Sequence, residues 1–390
     1  MGKIRLTGGT AVLEDKLQKA DVLINNSTIE GIIPPETVTA DYEKIDCTGL
    51  FVAPGFVEIH SHGGGGSDYM DDDDNAYRNS LSQHVAHGTT SLLPTTLSAG
   101  KECTIKAIDR YLIAEQDKTL PINLLGLHME GPFLSPLQAG AQRPENIRVF
   151  DEKEYKLLYD RSQGRIKRWS VAPEVEGAEG FARFAKETGI TLSIAHSNAD
   201  FDTIVKAFDM GFCHVTHLYS GMSSVIRQNG FRIAGVVEAA YYIDGMNVEI
   251  IADGCHLPNS LLKLAVKSKG TDHVALITDS MRAAGQTEGE SFLGSKEEPM
   301  PVIIEDGVAK LLTRDAFGGS VATSDRLIRT MLGAGVSLTD AVKMATISPL
   351  KMMNISLKKG LIREGYDADI VVFDEDINVR SVYVNGIKRV

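Results

Sequence analysis

Positive charge is in short supply in this chain. Its 390 residues carry 40 Lys and Arg against 52 Asp and Glu, a net charge of −12. Nucleic acid and anionic membrane surfaces are therefore poor partners, and a small anionic substrate would need a cation placed locally. No run approaches the ~18 consecutive apolar residues of a membrane span. The opening MGKIRLTGGT has no apolar core for a secretory leader. Cysteine is equally sparse. Cys47, Cys103, Cys213 and Cys255 show no C-x-x-C spacing, which argues against a disulfide framework and makes a reducing cytoplasm the expected compartment. Also missing is the G-x-G-x-x-G turn of a dinucleotide fold: the glycines at 63–66 follow HSH with the wrong spacing.

What the chain does have is apolar residues, 43% of the total, enough for a large core. Residues 1–54 read as short strands (3–6, 20–24, 28–33 and 49–52) separated by polar turns. From Phe56 the rhythm changes. FVEIHSH, TTSLLPT, INLLGLHME, RWSVAPE, TLSIAHS, FCHVTHL, NVEIIADG and HVALITDS are apolar strands, mostly with helical stretches between them. Such alternation means parallel strands with crossovers, and eight units in about 220 residues fit a (β/α)8 TIM barrel. A doubly wound sheet is the rival, and it would want the missing glycine turn. Beyond Ser280 come a Gly/Glu-rich loop, two strands (301–305 and 308–312) and a helix over 324–332. A capping box at Ser337-Leu-Thr-Asp340 then opens a helix that ends by Pro349. Strands return near the C-terminus, with Asn385-Gly386 as a hairpin turn. The expected architecture is an α/β barrel over 55–354 with a small β-sandwich built from 1–54 and 355–390.

Active sites of such barrels lie at the C-terminal ends of the strands. His60 and His62, at i and i+2 of an extended segment, face one small volume. Later strands end alike: the third in Glu130, the fifth in His196, the sixth in His217 and the eighth in Asp279, with His256 just past the seventh. Imidazoles and carboxylates converging on one mouth make a metal-hydrolase site. The remaining histidines read as supporting residues. His84 and His87 lie on a helix. His214, three residues before His217, points to the opposite strand face. His128 shares the parity of Glu130 and lies deeper, and His273 begins a strand at the wrong end. The acidic run at 71–74 reads as a solvated face at a helix start.

HSHGG, HGTTSLLPTT, GLHMEGPF, IAHS, HVTHLYSGM, IADGCHL, ITDSMRAAG and GSVATSDRLIR occur in this order. As a set they resemble the N-acetylglucosamine-6-phosphate deacetylase family of the amidohydrolase superfamily, and the likeness extends to DADIVVFD near the C-terminus. It implies hydrolysis of the N-acetyl group of an amino-sugar phosphate by a homodimer holding one or two divalent metal ions, zinc foremost, with iron, manganese or cobalt as alternatives. It implies Glu130, His196 and His217 as metal ligands, and His60 and His62 as ligands of a second ion that Glu130 bridges. Asp279 matches the catalytic acid/base, His256 a contact to substrate oxygens, and Arg227 the phosphate-binding arginine. Many amidohydrolases bridge with a lysine on the fourth strand; here that strand ends in Pro173-Glu174. Two departures fall on implied substrate contacts. Gln142 stands where the family has His, and Ser220-Gly221 where it has Asn-Ala. They keep another substrate open, N-acetylgalactosamine-6-phosphate for example. A reading from another class is a non-catalytic binding protein on the same barrel, which would have lost metal ligands that are present here.

Overall fold

Eight short strands pair in parallel, each with its sequence neighbour: β1 (Phe56–Ser61), β2 (Thr89–Thr96), β3 (Leu127–Glu130), β4 (Ile166–Val171), β5 (Thr191–Ile194), β6 (Phe212–Val215), β7 (Asn247–Ile251) and β8 (Val274–Ile277). A bridge from Ser61 to Ser280 brings β1 and β8 together, so the barrel is nearly closed. One helix follows each strand: α1 (Ala76–Ala86), α2 (Lys101–Gln116), α3 (Glu152–Arg161), α4 (Ala178–Thr188), α5 (Phe201–Asp209), α6 (Val236–Tyr242), α7 (Asn259–Lys269) and α8 (Ser324–Gly333). This is the (β/α)8 order that the alternation predicts. The computed structural model describes residues 2–39, 41–355 and 358–390. Residues 1, 40, 356 and 357, which belong to the two expected sandwich segments, lie outside the described residues.

The helices form where local chemistry and burial agree. Helix α4 is bounded by Gly177 and Gly189, both left-handed, at φ 97° and 73°. Between them Phe181, Ala182 and Ala185 make one apolar face, and the Phe181 ring lies 5.1 Å from Trp169 of β4. Burying Phe181 contributes roughly 2–3 kcal/mol. Asp200 caps α5 by accepting from the N–H of Thr203 at 2.9 Å.

Both chain ends enter one six-stranded sheet, where Phe51–Pro54 lies between Thr10–Val12 and Ile370–Phe373. A four-stranded sheet from the N-terminal segment faces it across a core that includes Leu6, Val22, Ile24, Val52, Ile370 and Tyr383.

Several expectations need correction. The hairpin Ile226–Gln228 with Phe231–Ile233, and the strand Gly289–Leu293 beside Met300–Glu305, fall in stretches read as loops. Neither stretch alternates apolar and polar residues long enough to signal a strand, and each is defined by its partner. Helix Leu338–Met344 is capped by Ser337 and ends before Pro349, both as expected. Pro349 itself sits in the first turn of Ile347–Met352, where its missing N–H costs nothing. The acidic run is not simply a solvated face. Asp71 is fully buried against Arg282, at 3.0 and 3.2 Å, and pins the loop after β1. His214 is buried, but the parity argument from His217 does not hold, because β6 ends at Val215.

Candidate metal centre

Three of the converging residues sit two positions past a strand end and share a backbone feature. His196, His217 and Asp279 have φ of 43°, 31° and 47°, a left-handed conformation that costs an L-residue roughly 1 kcal/mol or more. Hydrogen bonds hold the turns. The N–H of Asp279 donates to the carbonyl of His60 at 3.0 Å, and the N–H of Ser135 donates to that of His196 at 2.9 Å.

Two triplets result, each with its donor atoms within 4.8 Å of one another: Glu130, His196 and His217, and His60, His62 and Asp279. Glu130 stands between them. Its Oε1 is 2.9 Å from His217 Nε2, 3.5 Å from His196 Nε2 and 3.6 Å from His60 Nε2, while its Oε2 is 3.5 Å from His62 Nε2. Asp279 Oδ1 lies 3.3 Å from His60 Nε2 and 3.2 Å from His62 Nε2. All six residues are buried.

The electrostatics call for a cation. Burial alone pushes imidazoles down, and His60 goes that way. Burial also acts against a charge on His62, but the Asp279 and Glu130 carboxylates outweigh it and push His62 up to about 9. His196 is likewise raised against burial by its bond to Glu130. Burial disfavours the charge of Glu130 too, yet the bonds from His196 and His217 hold its carboxyl well below the usual range. Protons on the imidazoles here balance a charge that a divalent ion can balance instead. Among the described residues the buried Nε2 of His60 has no hydrogen-bond partner, which suits a metal-ligand atom. The donor set of imidazoles and carboxylates suits zinc and similar ions.

A cavity of about 240 Å³ opens over His62, Glu130, His196, His217 and Asp279. Ser220, Gly221 and His256 line it, as does Gln142. His256 is fixed from behind, its Nδ1 at 2.8 Å from Asp253 Oδ2. Gln142 does more than line the wall: its amide bonds to Glu130 Oε2 at 2.7 Å. Gly221 is left-handed, at φ 56°, and a Cβ there would stand 2.7 Å from His196 Nδ1. Arg227 is not brought to the cavity. It lies exposed on the hairpin Ile226–Gln228, and no Lys or Arg is among the lining residues.

Four of the five supporting histidines have identifiable partners, whereas neither ring nitrogen of His214 has one among the described residues. His84 Nε2 is 3.0 Å from the carbonyl of Gly63, and His87 pairs with Asp325. His128 lies between Thr95 and Ser170 with its ring edge-on to His60, and His273 meets Asn247. Glu174, three residues past the end of β4, binds Ser197 and Asn198 rather than joining either triplet. Sequence reasoning missed Asp253, Glu249 and Arg168. The available signal was a charged residue inside or at the end of an otherwise apolar strand.

Comparison with known proteins points to one family. A model of the amidohydrolase family matches residues 51–388. A Lysinibacillus sphaericus protein named N-acetylglucosamine-6-phosphate deacetylase is 32% identical over 349 residues, 89% of this chain and 88% of that protein. A Shewanella protein named N-acetylgalactosamine-6-phosphate deacetylase is also 32% identical, over 89% of this chain and 85% of its own. The structure of a mutant N-acetyl-D-glucosamine-6-phosphate deacetylase from Mycobacterium smegmatis, in complex with N-acetyl-D-glucosamine-6-phosphate, superposes with a TM-score of 0.91 at 26% identity. It covers 100% of this chain and 99% of that one.

Proposed function

We infer the chemistry from one premise: this chain belongs to the amidohydrolase family. It is a metal-dependent amide hydrolase that removes the acetyl group of N-acetylglucosamine-6-phosphate, leaving glucosamine-6-phosphate and acetate. The observation that carries this reading is Glu130 standing between two donor triplets at the mouth of the barrel. Glu130, His196 and His217 would hold one ion and His60, His62 and Asp279 a second; the two complete triplets support this reading. Zinc is the metal we favour from the donor set.

A divalent ion bound there supplies Lewis acidity, making water nucleophilic near neutral pH and the amide carbonyl more electrophilic. The chain's own residues supply the rest. Asp279 takes the proton of the attacking water on Oδ1 or Oδ2 and returns it to the leaving nitrogen, first base and then acid. His256, its Nδ1 committed to Asp253, has Nε2 to offer an oxygen of the substrate. Ser220 and Gly221 line the sugar side of the cavity.

The phosphate needs a cation that the cavity lining does not provide. We assign that role to Arg227 of a second copy, in a homodimer. What supports it is the hairpin itself, which carries Arg227 between the exposed apolar residues Ile226 and Phe231, 56% and 74% accessible. A reducing cytoplasm agrees with four free cysteines, and among the described residues no helix is long and apolar enough to cross a membrane. We divide the chain into a barrel over 55–354 and a sandwich of 1–54 with 355–390; the sheet that both chain ends share supports the division.

A second reading, the galacto epimer as substrate, is favoured by the Shewanella relative and by the changed residues Ser220 and Gly221. Acetate release from the two epimers, with metal content measured on the same sample, tests both. Release from neither would refute the deacetylase reading. A metal-free protein with no activity would support the non-catalytic alternative. Asp279→Asn should retain the ion of the Glu130 triplet and lose turnover by roughly 10³-fold.

A further inference from the structure

Glu249 stands in the middle of β7, in the sequence NVEII, with no solvent exposure. A carboxylate buried in an apolar strand is costly unless both oxygens are satisfied. Here both are. Oε1 pairs with Nη1 of Arg168 on β4. Arg168 is equally buried and directs Nη2 to Ser193 Oγ at 2.9 Å and Thr216 Oγ1 at 3.0 Å. Oε2 lies 3.3 Å from Nδ1 of His60 and accepts from the main-chain N–H of His217 at 3.4 Å. One carboxylate therefore touches a residue from each donor triplet.

This contact has a consequence for His60. A carboxylate paired with a guanidinium is ionised and can only accept hydrogen bonds. Carboxylates stand near both ring nitrogens, but the Nδ1 contact to Glu249 has hydrogen-bond geometry, whereas Nε2 has no hydrogen-bond partner among the described residues. The proton of a neutral His60 therefore belongs on Nδ1, and Nε2 keeps the lone pair. Nε2 is the buried, unpartnered atom that lies 3.3 Å from Asp279 Oδ1 and 3.6 Å from Glu130 Oε1.

We propose that Glu249, held in place by Arg168, is a positioning residue that locks His60 in the Nδ1–H tautomer and presents Nε2 as a cation ligand. The buried pair beneath the mouth thus orients a ligand that it cannot itself replace, as carboxylates behind metal-binding histidines generally do. The proposal rests on the cation reading given above, and its test is separable from it.

The tautomer is read from long-range ¹H–¹⁵N spectra of the chelated protein, with His60 assigned by His60→Gln. The unaltered chain should show His60 protonated on Nδ1. In Arg168→Met/Glu249→Met both charges leave together, so no lone charge stays buried. That variant should lose the fixed tautomer, and the affinity of the His60 triplet for zinc should fall about 10–100-fold, while the Glu130 triplet retains its ion. Glu249→Gln, whose carbonyl can still accept from Nδ1, should keep the tautomer. Protonation of His60 on Nε2 in the unaltered chain overturns the proposal, and so does a folded double variant with tautomer and affinity unchanged. If the double variant does not fold, the spectra of the unaltered chain and of Glu249→Gln decide. If the unaltered chain binds no metal, the cation reading fails while the tautomer still decides the role of Glu249.

Discussion

Gln142 joins the main-chain N–H of Ser98 to the carboxylate of Glu130. Its Oε1 accepts from Ser98 at 2.8 Å, and its Nε2 donates to Glu130 Oε2 at 2.7 Å. Both ends of the amide are thereby engaged. The residue that replaces the family's histidine steadies the shared carboxylate, and little of it is left for a sugar.

Gln142→Ala should therefore weaken zinc binding by about 10–100-fold and lower kcat more than it raises KM. Metal titration by calorimetry beside steady-state kinetics checks this. A raised KM with unchanged metal affinity would return Gln142 to the substrate.

Gly221 is glycine for two reasons that act together: its positive φ and the His196 ring 2.7 Å from where a Cβ would be. Gly221→Ala, although it restores the family's residue, should displace His196, cost roughly 1–2 kcal/mol and reduce occupancy of the Glu130 triplet. Thermal melts with and without zinc separate the two effects. Ser220→Asn should leave both unchanged.

Arg227→Ala should raise KM for the phosphorylated sugar at least tenfold on the order of one lost charged contact, with kcat little changed. If the arginine acts across a dimer, mixing Arg227→Ala with Asp279→Asn subunits should, at substrate well below KM, recover roughly a quarter of wild-type kcat/KM, from hybrid dimers with one intact site. No recovery after confirmed subunit exchange would show that the arginine serves its own chain.

Acid should destabilise the protein through histidines buried in neutral form. Burial pushes His214 down to about 3 and His84 down to about 4. Their folded pKa values lie below the unfolded value of about 6.5, so the unfolded chain binds more protons between the two. The stability they contribute is present above pH ~6.5 and is lost as pH falls through the folded values. The melting temperature should drop across that window. His214→Leu should flatten the drop.

The eight strand–helix units were legible because each is encoded locally, by apolar runs of strand length followed by helical spacing. The six residues of the two triplets were legible for a related reason: a ligand-type residue at the end of an apolar strand stands out, and a parallel barrel places all such ends on one rim. Less visible were elements made only by their partner, such as Gly289–Leu293, and the burial of Asp71 within a run that looks uniformly solvated.

The sequence by itself determined that a ring of imidazoles and carboxylates would gather at one end of a barrel, since strand direction and residue order follow from local pattern. Tertiary structure alone decided which group stands behind each ligand: Glu249 behind His60, Gln142 on Glu130, Asp253 behind His256. It also left Arg227 on an exposed hairpin, away from the cavity of its own chain. The physical reason is range. Periodicity reports which way a side chain leaves its own backbone, whereas a hydrogen bond between residues 189 positions apart, as between His60 and Glu249, exists only once the strands have closed around a common axis.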